Sequence, residues 1–315
     1  MQILVPQSAP ETPTWRADAT AASSRVRGTL HQIFVQRRLP QRGLAPMAGF
    51  STHSTALPLV LLHGATSSAR VWEPLLPALE VHHHVFVPTL AGHCGGPPLS
   101  VPPALVVQGI IDSMCRQLDS AGIETAHFVG NSLGGWIALE LARRGRASSV
   151  LAFSPAGAWR LPRDLTRMLV IFQIGSKLRT TAPFHKLLAN KTLRRLVLRL
   201  VAEHADRMTP AQVTAMLEDA AGCAVLPDLL AGARDAGPIS AFAELTCPVR
   251  IAWGWHDRTL PFMRYGAPIL AALPGAELVM LPDVGHVPMI DDPALTAQII
   301  LDFVERQVAP QRLSS

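Results

Sequence analysis

Lysine is nearly missing from this chain of 315 residues. Of 28 basic residues only Lys177, Lys186 and Lys191 are lysine; the rest are arginine, dispersed along the sequence. A net charge of +5 and a pI of about 9.5 therefore arise without a basic run, and no recognition motif accompanies them. This pattern describes a solvated surface and argues against a nucleic-acid partner. Cysteine is equally sparse. Cys94, Cys115, Cys223 and Cys247 form no C-x-x-C pair and no zinc-spaced group with histidine, so they read as reduced thiols of a cytoplasmic protein. His82, His83 and His84 are consecutive, so along an extended chain they point to opposite faces and do not converge on one ion; a turn into a strand is expected there. No apolar run is long enough to span a membrane, and the first residues lack the pattern of a secretory signal.

What is present points to a sizeable core. Apolar residues make up 49% of the chain, and the length suits one large domain, or one with an insertion. Residues 1–56 differ in texture: Ala, Ser, Thr, Pro and Arg dominate, and Glu11 and Asp18 are the only acids. That composition predicts disorder, with one strand near Thr29 to Val35.

From Leu57 onward, short apolar runs end in loops. They are Pro58–Leu62, His84–Val87, Ala126–Val129, Ser149–Phe153, Val249–Trp253 and Glu277–Leu281. They lack strict alternation, as strands buried on both faces should. Helical periodicity lies between them, at Trp72–Leu79, Ala104–Ala121 and Trp136–Arg144. This order predicts an α/β fold, a mostly parallel, doubly wound sheet with helices on both faces. Ligands of such sheets bind beyond the carboxyl ends of the strands.

The third run leads into Gly130-Asn-Ser-Leu-Gly-Gly135. Gly-x-Ser-x-Gly between strand and helix is a nucleophile elbow: a sharp turn that presents Ser132 at the positive end of the next helix. Side chains two residues before and after the serine would collide, hence Gly130 and Gly134. Serine needs a base, and the base an orienting acid. His286, in the loop after the last run, is the candidate base, and Asp257, after Val249–Trp253, the candidate acid. Asp283 lies too near His286 in sequence to approach its ring from behind and is expected to cap its own turn. Asp291 and Asp292 precede Pro293 and read as a helix N-cap. His256 adjoins the acid, while His63 and His93 sit in backbone-shaping loops. The backbone N–H groups of Leu133 and Ala65 are the candidate oxyanion hole.

These pieces, with Leu61-Leu-His-Gly64, Gly92-His93, Gly254-Trp-His-Asp257 and Gly285-His286, occur in order from Pro58 to about Val308. Together they resemble the α/β-hydrolase superfamily. The resemblance implies Ser132 as nucleophile, His286 as general base and acid, Asp257 as its orienter, and no metal or organic cofactor. The sequence departs from the family pattern at Thr89, where an aspartate is usual, and at Cys94, where glycine is common. The opening hairpin is not legible before Leu57.

Residues 155–246 exceed what a crossover helix needs and predict a helical lid inserted between core segments 57–154 and 247–311. Helices are expected at Arg163–Ile174, at Phe184–Ala202 and after the capping pattern Thr209-Pro-Ala-Gln212. In the second, Lys191, Arg194, Arg195 and Arg199 are expected to share a face opposite Leu193, Leu196, Val197 and Leu200. Trp159, Met168, Phe172, Phe184 and Met216 are candidates to line an acyl pocket, with Val287 beside the base. The chemistry predicted is cleavage of a small to medium apolar carboxylic ester through an acyl-serine. Two alternatives stay open. Asn131 resembles a branch that hydrolyses carbon–carbon bonds of dienoic diketones, although Val287 stands where that branch has tryptophan. A ligand-binding protein with little turnover is the other.

Overall fold

The computed structural model describes residues 57–158, 166, 188–235 and 245–312. The segment 1–56 with its expected strand, the expected helix 163–174 apart from Thr166, and Trp159, Met168, Phe172 and Phe184 lie outside these residues.

Each apolar run from Leu57 onward forms a strand. They are β1 (Leu59–Leu62), β2 (Val85–Phe86), β3 (Ala126–Asn131), β4 (Ala147–Phe153), β5 (Val249–Gly254) and β6 (Glu277–Leu281). All neighbours are parallel, in the order β2-β1-β3-β4-β5-β6. The register pairs Leu61 with Val129 and Val129 with Leu151 across the centre of the sheet. Side chains alternate between its faces: Val60 and Leu62 join the cluster with Phe128, Ile110 and Ile137, while Leu59 and Leu61 join Trp72, Val129 and Phe303 on the other side. Both faces are therefore apolar, which is why the strands read as continuous runs.

Helices α1 (Leu76–Leu79), α2 (Val106–Ser120) and α3 (Leu133–Arg143) connect the first four strands. The expected helix Trp72–Leu79 is instead a 3₁₀ stretch over Ala69–Leu75 running into α1. Pro74 and Pro77 have no N–H to continue an α-helical ladder. The turn at His82–His84 leads into β2 as expected.

Between β4 and β5 lie α4 (Lys191–Val197), α5 (Pro210–Ala221) and α6 (Leu226–Asp235). Leu188, Leu198, Ala202, Ala205, Met208, Val213 and Leu217 form a small core of their own. Thr209 and Gln212 make the reciprocal capping box expected at the start of α5. The division of faces expected around α4 is overturned. Arg194 is buried, and its guanidinium donates to the carbonyls of Ala205, Leu188, Asp206 and Met208 at 2.8–3.1 Å. Leu193, Leu196 and Leu200 are exposed instead. The helix stops at Val197, so its period does not carry to Leu200, and the five-donor fork of arginine satisfies carbonyls on both sides of the helix, Leu188 before it and Ala205, Asp206 and Met208 after it. After β5 come α7 (Phe262–Ala272), α8 (Pro288–Asp291) and α9 (Pro293–Arg312). No helix among the described residues is long and apolar enough to cross a membrane.

Candidate active site

Backbone strain collects at one end of the sheet. Among the described residues, the non-glycine positions with positive φ are Thr66 (62°), Ser132 (55°), Ser154 (41°) and Asp283 (57°). Each lies just beyond the carboxyl end of a strand, in a conformation that costs about 1–3 kcal/mol.

Ser132 occupies the turn between β3 and α3 and is 7% exposed. A Cβ on Gly130 would lie 2.2 Å from the carbonyl oxygen of Gly134, so the collision expected across the elbow is real. Gly134 answers a different contact. Its own Cβ would meet the carbonyl oxygen of Leu62 at 2.2 Å, so its bareness lets α3 sit against the end of β1. Gly64 faces Ser132 from the loop after β1: a Cβ there would lie 3.3 Å from Ser132 Cβ. Ala65 follows in that loop. Leu133 is the first residue of α3, where an amide has no acceptor inside its own helix.

Asp257 and His286 meet across 29 residues of sequence. His286 Nδ1 lies 2.8 Å from Asp257 Oδ2. Since a carboxylate only accepts, Nδ1 carries the proton and Nε2 is left with a lone pair. That Nε2 is buried and has no hydrogen-bond partner among the described residues. The other carboxylate oxygen of Asp257 accepts from Leu260 N at 2.7 Å, which fixes the acid's rotation. Asn131, next to the serine, donates its side-chain amide to His286 O at 2.9 Å and to Phe153 O at 3.2 Å. One side chain thus joins the elbow, the end of β4 and the histidine loop.

The loop that carries Ala65 is braced from two sides. Leu90 N donates to His63 Nε2 at 3.0 Å, so His63 Nδ1 carries the hydrogen and donates to Gly64 O at 2.8 Å. Burial, with the nearby His93, lowers the His63 pKa to about 3, which keeps the ring neutral. From α5, the buried Asp219 accepts from Ser68 Oγ at 2.7 Å and pairs with Arg70, whose pKa is raised chiefly by its own hydrogen bond to the Asp219 carboxylate. Thr89, in place of the usual aspartate, accepts from Ala69 N at 3.3 Å. Gly222 lies tight against Cys94: a Cβ there would be 2.7 Å from its Sγ.

Two acids behave otherwise than expected. Asp283 reaches His204 Nε2 at 3.0 Å, and that hydrogen bond lowers its pKa. Asp291 caps no helix. It is 1% exposed and accepts three backbone N–H groups, from Gly285 (2.6 Å), His204 (2.6 Å) and Glu203 (3.1 Å). Burial raises its pKa against the pull of those donors. The N-cap is Asp292 alone, which accepts from Leu295 N at 2.9 Å. Two of the three partners of Asp291, Glu203 and His204, lie more than 80 residues away and leave no local spacing to read. Val287 donates its amide to Val201 O at 3.0 Å, and its half-buried side chain packs against the cluster of Leu61 and Met289. Met216 packs on the small core around α5.

Residues 59–299 match the model of the alpha/beta hydrolase family. The chain belongs to that family. Among this α/β-hydrolase's relatives is the "Epoxide hydrolase EphH" of Mycobacterium tuberculosis, 35% identical over 206 residues, which are 62% of this chain and 94% of that protein. The "Pimeloyl-[acyl-carrier protein] methyl ester esterase" of Aromatoleum aromaticum is 30% identical over 257 residues, 78% of this chain and 97% of that one. Among solved structures, the 2-hydroxy-6-oxo-6-phenylhexa-2,4-dienoate hydrolase of Rhodococcus sp. strain RHA1 aligns with a TM-score of 0.62. It covers 78% of this chain and 90% of its own and is 23% identical, a likeness of fold alone. The parallel sheet and its flanking helices are those of the family, as the sequence predicts.

Proposed function

We propose that this hydrolase cleaves carboxylic esters of small to medium apolar substrates through an acyl-serine. The observation that carries the reading is the buried Asp257–His286 hydrogen bond, which leaves His286 Nε2 open in a loop that Asn131 ties to the strained Ser132. In this reading Ser132 Oγ attacks the ester carbonyl carbon as Nε2 takes its proton. The oxyanion accepts from the N–H groups of Leu133 and Ala65. The tetrahedral intermediate expels the alkoxide, which receives the proton from His286, and Ser132 is left acylated. Water, deprotonated by Nε2, attacks the acyl carbon. Collapse breaks the Ser132–acyl bond, returns the proton to Oγ and releases the carboxylic acid.

Opening an epoxide with Ser132 would form an ether, and an ether has no carbonyl for water to attack. An epoxide hydrolase using this serine would stop after one turnover. Ester cleavage has no such obstacle, and one relative is named for it. Residues 155–246 act in this reading as a helical lid that selects the acyl chain, and residues 57–154 and 247–311 as the core.

The deciding experiment is labelling with a fluorophosphonate probe, wild type beside Ser132→Ala, together with turnover of a p-nitrophenyl ester series. Modification at Ser132 alone, with turnover lost in the variant, is the expected result. A folded wild type that neither labels nor turns over would overturn the reading in favour of a ligand-binding protein. Turnover of a dienoic diketone but of no ester would assign carbon–carbon bond hydrolysis instead.

A further inference from the structure

Five consecutive residues, Leu200 to His204, touch the neighbours of both the candidate acid and the candidate base. On the acid side, Thr259 Oγ1 donates to Leu200 O, and Arg258 pairs with the carboxylate of Glu203. On the base side, Val287 N donates to Val201 O. Asp291 then gathers Gly285 N, Glu203 N and His204 N on one carboxylate, while Arg207 donates to its backbone oxygen at 2.9 Å. The fit is close: a Cβ on Gly285 would lie 2.9 Å from Glu203 N and 3.1 Å from Ala202 Cα. Residues 258 and 259 follow Asp257 directly, and 285 and 287 flank His286. Each is held by the same strap or by the carboxylate that holds the strap.

We propose that Asp291 and the strap 200–204 form a positioning clasp that sets the His286 loop against the Asp257 loop. The proposal rests on the reading of Asp257 and His286 as acid and base. Asp291 touches no reacting atom; it acts through the backbone of Gly285. A carboxylate suits the task because its two acceptor oxygens take three N–H donors with no donor of their own. An amide in its place offers one oxygen and turns an NH₂ group toward a backbone N–H, so at least one bond is lost and a donor faces a donor. The histidine loop then relaxes, and an error of about 1 Å in placing a catalytic group costs about 10²-fold in rate. The strap is thereby a brace that has to stay in place during turnover.

The test uses the full chain with Asp291→Asn, Thr259→Val and Thr259→Ser, assayed on a p-nitrophenyl ester, with rates expressed per folded molecule and amide hydrogen exchange followed at Gly285, Glu203 and His204. Asp291→Asn is expected to lower kcat about 10- to 100-fold with KM within about twofold of wild type, and to speed exchange at the three amides. Thr259→Val is expected to lower kcat about threefold or more and Thr259→Ser to restore it, with the Asp291→Asn/Thr259→Val double variant falling less than the product of the two. Normal kcat in folded Asp291→Asn and Thr259→Val would overturn the clasp and leave Asp291 a stabilising residue. Should Asp291→Asn fail to fold, the Thr259 pair decides by the same criterion. Failure of the underlying reading looks different: wild type lacks turnover, or Ser132→Ala keeps it, while the exchange rates still report whether Asp291 holds the loop.

Discussion

Ser132 keeps φ at 55° and ψ at −115° only because its neighbours leave no alternative, and the tightest of them are bare glycines. Gly130→Ala is expected to cost more than about 3 kcal/mol, since backbone atoms of α3 cannot retreat from a Cβ 2.2 Å away. Urea denaturation measures it; a loss under about 1 kcal/mol would mean that the elbow opens easily. The acid makes a second prediction. Asp257→Asn should keep the fold yet lower kcat about 10⁴-fold, because an amide facing His286 Nδ1 favours the wrong tautomer. Near-normal kcat would point to another acid. The positions of Ser132, Asp257 and His286 just past strands were legible because each follows an apolar run, near glycine or tryptophan. Asp291 and Asp219 were not. Their partners are fixed by the packing of the segment between β4 and β5, and a charged side chain that ends up buried looks in sequence like one that does not.

At the scale of elements, strands were easier to read than the helices between β4 and β5. A strand buried on both faces shows itself as an unbroken apolar run, whatever lies around it. A short helix resting on a small core shows less. Around α4 the spacing of the arginines predicts a wet face, yet Arg194 is the buried one and the leucines beside it are exposed. Composition did not reveal this because the decisive partners are carbonyls, which every residue has. Arg194→Ala is therefore expected to cost at least about 3 kcal/mol by stranding four carbonyl bonds at once. Limited proteolysis should then cut first between residues 188 and 210. Arg194→Lys should rescue only part of the loss, because an ammonium lacks the planar fork. Equal protease resistance of Arg194→Ala and wild type would show that the fork is dispensable.

At the scale of the whole molecule, the buried His63 and His127 make stability sensitive to acid. Burial lowers the pKa of His63 to about 3 and that of His127 to about 4, helped by His93 and His83 respectively. Unfolded imidazoles take protons below about pH 6.5, and in the fold these two stay neutral until far lower. Between those limits the unfolded chain binds more protons. Stability should therefore fall as pH drops from about 6.5, by about 1.4 kcal/mol per pH unit for each such histidine. The urea midpoint at pH 7.5 and at pH 5 checks this, and His127→Gln should reduce the slope by one proton; equal midpoints in wild type would count against it. The remaining consequence concerns transplantation. Because Asn131 binds His286 O and Phe153 O together, the turn around Ser132 is matched to one particular histidine loop. An elbow borrowed from a relative with another residue before its serine would arrive without that joint. A working chimera of this hydrolase should need residues 130–135 and 285–291 exchanged as a pair, with the end of β4 as their common seat.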